Sequence, residues 1–340
     1  MAEPRIKTTV VGSYPVPDWL AALPSEQAVI DATRVVLNTQ EKAGIDLVAD
    51  GELYRFDVNH PETNGMIEYF VRPMGGIRAD LTFREVQAFR AQEGMKFRTR
   101  PAGLVTGPVT SGTLDLPAAC ARAKALATKP LKFTLTGPHM LAKTLQDTHY
   151  GSLPKLAMAI AEALAEQVAL LDADVVQIDE ANLPGHPEEW EWAAEAANIV
   201  LSAVKTTPAI HLCFGNYGGQ SVQKGTWDTL IGYLNTLKVD HIVMEMAHRP
   251  IEEVAAFKGL DPKIGLGLGV VDIKRTEVET ADTIAHSIER AAGIVGADRI
   301  RYIHPDCGFW MLKRSIADQK IAALVKGRDL YEGRAARAVA

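Results

Sequence analysis

Two of the chain's three cysteines, Cys213 and Cys307, close short apolar runs, and Cys213 lies two residues after His211. If that run is a β-strand, His211 and Cys213 point to the same side of it. Glu245 ends the next apolar run and Cys307 ends the last. One imidazole, two thiolates and one carboxylate make a tetrahedral shell that suits zinc. The ligands do not come in the local pairs of a zinc finger, so a rigid scaffold must bring three separate segments together. A three-histidine shell would leave zinc strongly electrophilic and suited to making hydroxide. This sulfur-rich, anionic shell instead deprotonates an incoming thiol and leaves it electron-rich, the requirement of S-alkylation. Taken singly, a cysteine at a strand end reads as a small buried hydrophobe, and a histidine there as a satisfied core residue. The four together carry the metal reading. Cys120 has no such company and reads as structural, on a helix over 117–126. An odd, low cysteine count argues against a disulfide framework.

The other unusual polar residues also close apolar runs: Ser13, Glu52, Asp179, Glu180 and Asp272. The spacing predicts strands over 8–14, 46–52, 132–138, 175–180, 209–214, 241–246, 263–272 and 301–307. Their continuous apolar character suits parallel strands covered on both faces. Helical spacing marks 25–43, 153–171, 187–204, 222–237, 278–292 and 315–325. Eight strands alternating with helices predict an α/β fold, a (β/α)8 TIM barrel; an open doubly wound sheet is the competing arrangement. In a barrel the C-terminal strand ends converge on one mouth, so residues hundreds of positions apart become neighbours. The stretch between the second and third strands is about twice what a βα unit needs. It predicts an insertion over 59–116, lying over the C-terminal face, with a β-hairpin in the alternating segment 95–109. The whole chain, 1–340, reads as one zinc-dependent barrel domain with a frayed tail over 333–340.

The bulk numbers exclude some partners. The 340 residues are 47% hydrophobic and 23% charged, with a net charge of −6. Charges of both signs are interspersed and form no basic stripe, so nucleic acid is not expected as a partner. No run of 18 apolar residues is present, and no membrane span is expected. The N-terminal stretch lacks the apolar core of a signal peptide, so a cytoplasmic location is the default expectation.

These residues belong to recognisable motifs. VGSYP, ADGELYR, GMIEYF, KFTLTGP, VVQIDEANL, HLCFGN, MEMAHRP and HPDCG follow one another in the order found in cobalamin-independent methionine synthase. The chain resembles the catalytic C-terminal barrel of that family nearly end to end, and VQIDE and PDCG are the specific matches. The resemblance implies zinc on His211, Cys213, Glu245 and Cys307, and a homocysteine S-methyltransferase. It implies that Ser13, Glu52 and Asp179 hold the homocysteine amino acid. Two carboxylates suit its ammonium, and Ser13 with nearby N–H groups suits its carboxylate. Zinc lowers the thiol pKa and the barrel fixes the approach of sulfur to a methyl group.

Three departures accompany the resemblance. The full family enzyme is about twice as long and has a second barrel, so this chain resembles short, single-barrel members. The family has a tryptophan after TGP that stacks on the pterin; residues 139–147 here hold none, and His139 is a polar stand-in or a helix-start residue. Lys274 occupies the place of a histidine acid just after the seventh strand, next to Asp272, and these two are the catalytic candidates. The methyl donor stays open between methyltetrahydrofolate and methylcobalamin or a corrinoid protein. A second reading keeps the metal and changes the partners: an alkyl or epoxide:thiol transferase of the same barrel family, acting on a thiol such as coenzyme M. A third is a non-catalytic zinc-binding protein, which would have no pocket beside the metal.

Overall fold

The computed structural model describes residues 5–57, 60, 63–91, 98–215 and 223–334. Eight parallel barrel strands span Lys7–Thr8, Val48–Ala49, Leu131–Thr136, Val175–Glu180, Thr207–Leu212, His241–Met244, Gly265–Val271 and Ile300–Pro305. From the second strand on, each pairs with the next in the chain, and the eighth pairs with the first. A parallel bridge between Thr9 and Leu47 joins the first strand to the second. The sheet therefore closes on itself into a (β/α)8 barrel, and the open doubly wound order is excluded. Every residue of LKFTLT, VVQIDE and GLGLGVV is buried, as strands covered on both faces require.

Helices Glu26–Ala43, Leu153–Val168, Trp190–Ala203, Ala281–Val295 and Arg314–Tyr331 pack around the strands. Their starts follow side-chain chemistry: Ser25 accepts the N–H of Ala28, and Thr280 that of Thr283. Burial follows the helical period, as at Leu156, Ile160 and Leu164. The crossover from the sixth strand to the seventh is a 3-10 helix, Ile251–Gly259. No helix among the described residues is long and apolar enough to cross a membrane.

Several boundaries differ from the sequence expectation. The first two strands are two residues each, far shorter than 8–14 and 46–52. Beyond them the chain turns across the mouth: Gly51 and Glu52 take positive φ, and Tyr14 N–H donates to Gly51 O at 2.9 Å. The helix expected over 222–237 is a 3-10 turn, Trp227–Leu230, followed by Ile231–Thr236; residue 222 lies outside the described residues. The expected helix 315–325 is longer, Arg314–Tyr331. Residues 333 and 334 are hydrogen-bonded back to that helix, so the frayed tail does not begin at 333.

The insertion after the second strand builds its own small sheet. Gly75–Arg78 runs antiparallel to Leu104–Thr110, which pairs in parallel with Gln146–Asp147 after the third strand. The hairpin expected within 95–109 is therefore replaced: Leu104–Thr110 finds its partner upstream, and residues 95–97 lie outside the described residues. The insertion shares the barrel's apolar cluster through Phe70 and Val105.

At the seam between chain ends, Arg328 on the last helix donates to Ile6 O at 2.9 Å and to Asp46 at 2.7 Å. Ile6 N–H donates to the Glu332 carboxylate at 2.8 Å.

Candidate metal and substrate site

Three of the four expected metal ligands meet at the mouth. The ligand atoms of His211, Cys213 and Cys307 all lie within 4.8 Å of one another. His211 Nδ1–H donates to Val243 O at 2.9 Å, which fixes the ring and leaves Nε2 free to bind. That Nε2 is buried and has no hydrogen-bond partner among the described residues. Such an atom costs free energy unless a ligand meets it. The two sulfurs lie 3.9 Å apart. The Cys307 contact, with help from His211, holds Cys213 well below the usual thiol range, while Cys307 is pushed well above it. One imidazole nitrogen and two sulfurs around one point fit zinc.

Glu245 stands outside this group. One carboxylate oxygen takes the Lys274 ammonium at 2.6 Å and the other accepts the Phe214 N–H at 3.0 Å. Both side chains of the ion pair are almost fully buried. Burial alone would lower the Lys274 pKa, but the Glu245 charge and hydrogen bond raise it overall, so Lys274 is held as an ammonium. Asp272 accepts the Lys274 backbone N–H at 2.8 Å and pairs with His248 at 2.9 Å. Neither Asp272 nor Lys274 is among the residues lining the site's cavity.

Ser13, Glu52, Asp179, His211, Cys213 and Cys307 line one cavity. Glu52 accepts the Thr134 hydroxyl at 2.6 Å and pairs with Arg55 at 3.2 Å. It is the one non-glycine among the described residues with a positive φ, 59°. Gly12 lets it reach in: a Cβ there would lie 2.1 Å from the Glu52 carboxylate. Asp179 accepts the Gln177 amide at 2.7 Å. Burial, reinforced by the Glu52 charge, pushes its pKa up to about 7. Beneath the pair, the fully buried Lys132 is pulled down to about 7 by burial, against the attraction of Asp179 and Glu52, and its ammonium donates to Val10 O.

The segment around Cys307 ties the mouth together. Asp306 accepts three N–H groups, from Met246, Ala247 and His248, at 2.7 to 2.8 Å. Phe309 N–H donates to Ser13 O at 2.8 Å. Gly308 is required there, because a Cβ would lie 1.9 Å from the Ser13 hydroxyl.

Of the remaining residues singled out from sequence, Glu180 lines the same cavity, whereas His139 and Cys120 are buried away from it. Glu180 caps a short helix by accepting the N–H groups of His139 and Met140, each at 3.0 Å. His139 is fully buried, bonded to Glu189 at 2.7 Å and packed against Trp192. Cys120 is buried on Leu116–Leu126, and burial pushes its thiol up to about 11.

The model of the cobalamin-independent synthase catalytic domain matches residues 6–328. The chain belongs to the cobalamin-independent methionine synthase family. It is a methyltransferase of that family with a TIM-barrel fold. A protein of Thermococcus kodakarensis named methionine synthase is 31% identical, over 99% of this chain and 96% of its own length. One of Sulfurisphaera tokodaii with the same name is 29% identical, over 96% and 93%. A solved B12-independent methionine synthase from a Shewanella species, in complex with selenomethionine, superposes with a TM-score of 0.80. It is 25% identical, over 96% of this chain and 98% of that one.

Sequence reasoning missed several residues in or beneath the cavity wall. Asn64 and Met66, from the insertion, line the cavity wall, and so does Trp310. Trp310 had a signal, a large aromatic three residues after Cys307. Lys132 also had one, a lysine inside an apolar strand. Met66 lies in the GMIEYF motif, though nothing there marked it as cavity wall, and Asn64 had no signal.

Proposed function

We propose that this protein is a zinc-dependent homocysteine S-methyltransferase that forms methionine. The observation that carries the proposal is the buried His211 Nε2, without a hydrogen-bond partner among the described residues, beside two thiols in the cavity that Glu52 and Asp179 also line. His211, Cys213 and Cys307 would hold the metal. Bound there, zinc supplies the positive centre that lowers the pKa of an incoming thiol and keeps its sulfur nucleophilic.

The chain's own residues do the rest. Glu52 and Asp179 take the homocysteine ammonium, and Ser13 with adjacent backbone N–H groups takes the carboxylate. Both carboxylates stand on fixed partners, Thr134, Arg55 and Gln177, so the thiol is presented in one orientation. The Val243 carbonyl fixes His211 in the tautomer that offers Nε2. Glu245 is the fourth protein donor by family resemblance. Its carboxylate is held here by the Lys274 ammonium and the Phe214 N–H. Lys274 and Asp272 then act by placing Glu245 and the neighbouring loop, not by touching substrate. The methyl donor is methyltetrahydrofolate or a methylated corrinoid.

Purified protein is expected to hold about one equivalent of zinc, and Cys213→Ser and Cys307→Ser to lose it. Metal content unchanged in both variants sinks the metal assignment. Calorimetry should show homocysteine binding to the zinc form; binding of coenzyme M in its place moves the assignment to the thiol transferase reading. Methionine formation is then measured with each donor separately.

A further inference from the structure

We propose that Trp310 is the donor-positioning residue, a platform on which the planar ring of the methyl carrier stacks at the edge of the thiol site. The inference rests on the methyl-transfer reading above and deepens it. The structure holds two adjoining cavities. The one at His211, Cys213 and Cys307 is small, about 100 Å³. The second is about 420 Å³ and lies under the insertion, lined by Phe56, Thr63, Arg98 and Arg100. A cavity of a few hundred cubic ångströms takes a ligand larger than an amino acid. The two share Ser13, Glu52, Asn64, Met66 and Trp310 in their walls.

Transfer in line requires the second substrate to bring its methyl group to that shared wall. Trp310 is the aromatic residue common to both cavities. It is 50% exposed, whereas Trp227 is buried and Trp19 lines neither cavity. An indole left half in water at a cavity junction offers a large flat face for a ligand ring to cover. Its backbone is not free to wander. Phe309 is anchored by its N–H to Ser13 O and packs edge-on against Tyr14 at 5.9 Å, and Leu312 N–H returns to Phe309 O at 2.8 Å. The platform therefore sits at a fixed distance from Cys307, three residues upstream.

The test uses the zinc-loaded full chain with homocysteine, and 5-methyltetrahydrofolate and methylcobalamin as separate donor probes. Trp310→Ala is expected to raise the donor KM about tenfold, the scale of losing one ring stacked on an aromatic side chain. Homocysteine affinity, read by calorimetry, changes several-fold less than the donor KM, and Trp310→Phe recovers most of the donor KM. A purely structural role would move homocysteine affinity and melting temperature together with the donor KM. An unchanged donor KM in Trp310→Ala overturns the platform. A wild-type protein that binds homocysteine but neither probe also overturns it and leaves the thiol reading standing. Failure to bind homocysteine overturns the reading on which the platform rests.

Discussion

Asp179 sets a pH dependence that belongs to a single side chain. Its pKa is raised to about 7, so in the free protein the carboxyl group takes up a proton as the pH falls through that value. Only the ionised form pairs with an ammonium group. The Asp179 contribution to homocysteine affinity is therefore expected to be complete above about pH 7, and below it to add a further loss of about tenfold per pH unit to that from releasing the thiol proton. Calorimetry between pH 5.5 and 8.5 checks this, and Asp179→Asn should remove the additional slope below about pH 7 while leaving the dependence from the thiol proton. Lys274 supports a second prediction. Replacing it with methionine leaves Glu245 buried without its partner, which costs roughly 3–5 kcal/mol of stability in the metal-free protein. The freed carboxylate should then bind zinc more tightly. Zinc affinity at or below the wild-type value would remove Glu245 from the ligand set.

At the scale of elements, the segment from Asp306 to Trp310 joins the loops that follow the sixth and first strands. Truncating Asp306 to alanine strands three backbone N–H groups and should cost about 3 kcal/mol or more in a urea melt. Zinc content should fall with it, since Cys307 is the next residue. Much of this arrangement was legible in the sequence. The two-residue spacing of His211 and Cys213 put them on one side of a strand, and the order of apolar runs put Cys307 at the same mouth. What spacing could not convey is where a long side chain ends. The reach of Lys274 to Glu245 crosses between strands and has no periodic signature. Nor did the apolar run 8–14 reveal that only its start stays in the ladder, because beyond Thr9 its backbone turns to meet Gly51. The pairing of Leu104–Thr110 with Gly75–Arg78 escaped for a related reason: alternation marks a strand and does not name its partner.

At the scale of the whole molecule, barrel closure depends on few backbone contacts near the first two strands. Arg328 compensates by joining Ile6, Asp46 and Asp329. Arg328→Ala is expected to lower stability by roughly 2–3 kcal/mol, because it takes the cation from the Asp46 and Asp329 carboxylates and the donor from Ile6 O. Denaturant melts measure this, and a loss under 1 kcal/mol would mean that the seam holds without it. The Ile6–Glu332 hydrogen bond has a further consequence. Residues 6 and 332 are neighbours in space, so a short linker could join the two ends of the chain. The chain could then be opened elsewhere, at the exposed pair Lys205–Thr206 before the fifth strand, on the face opposite the site. Such a circular permutant would keep every side chain of the mouth in place while reversing which half of the barrel emerges first during synthesis.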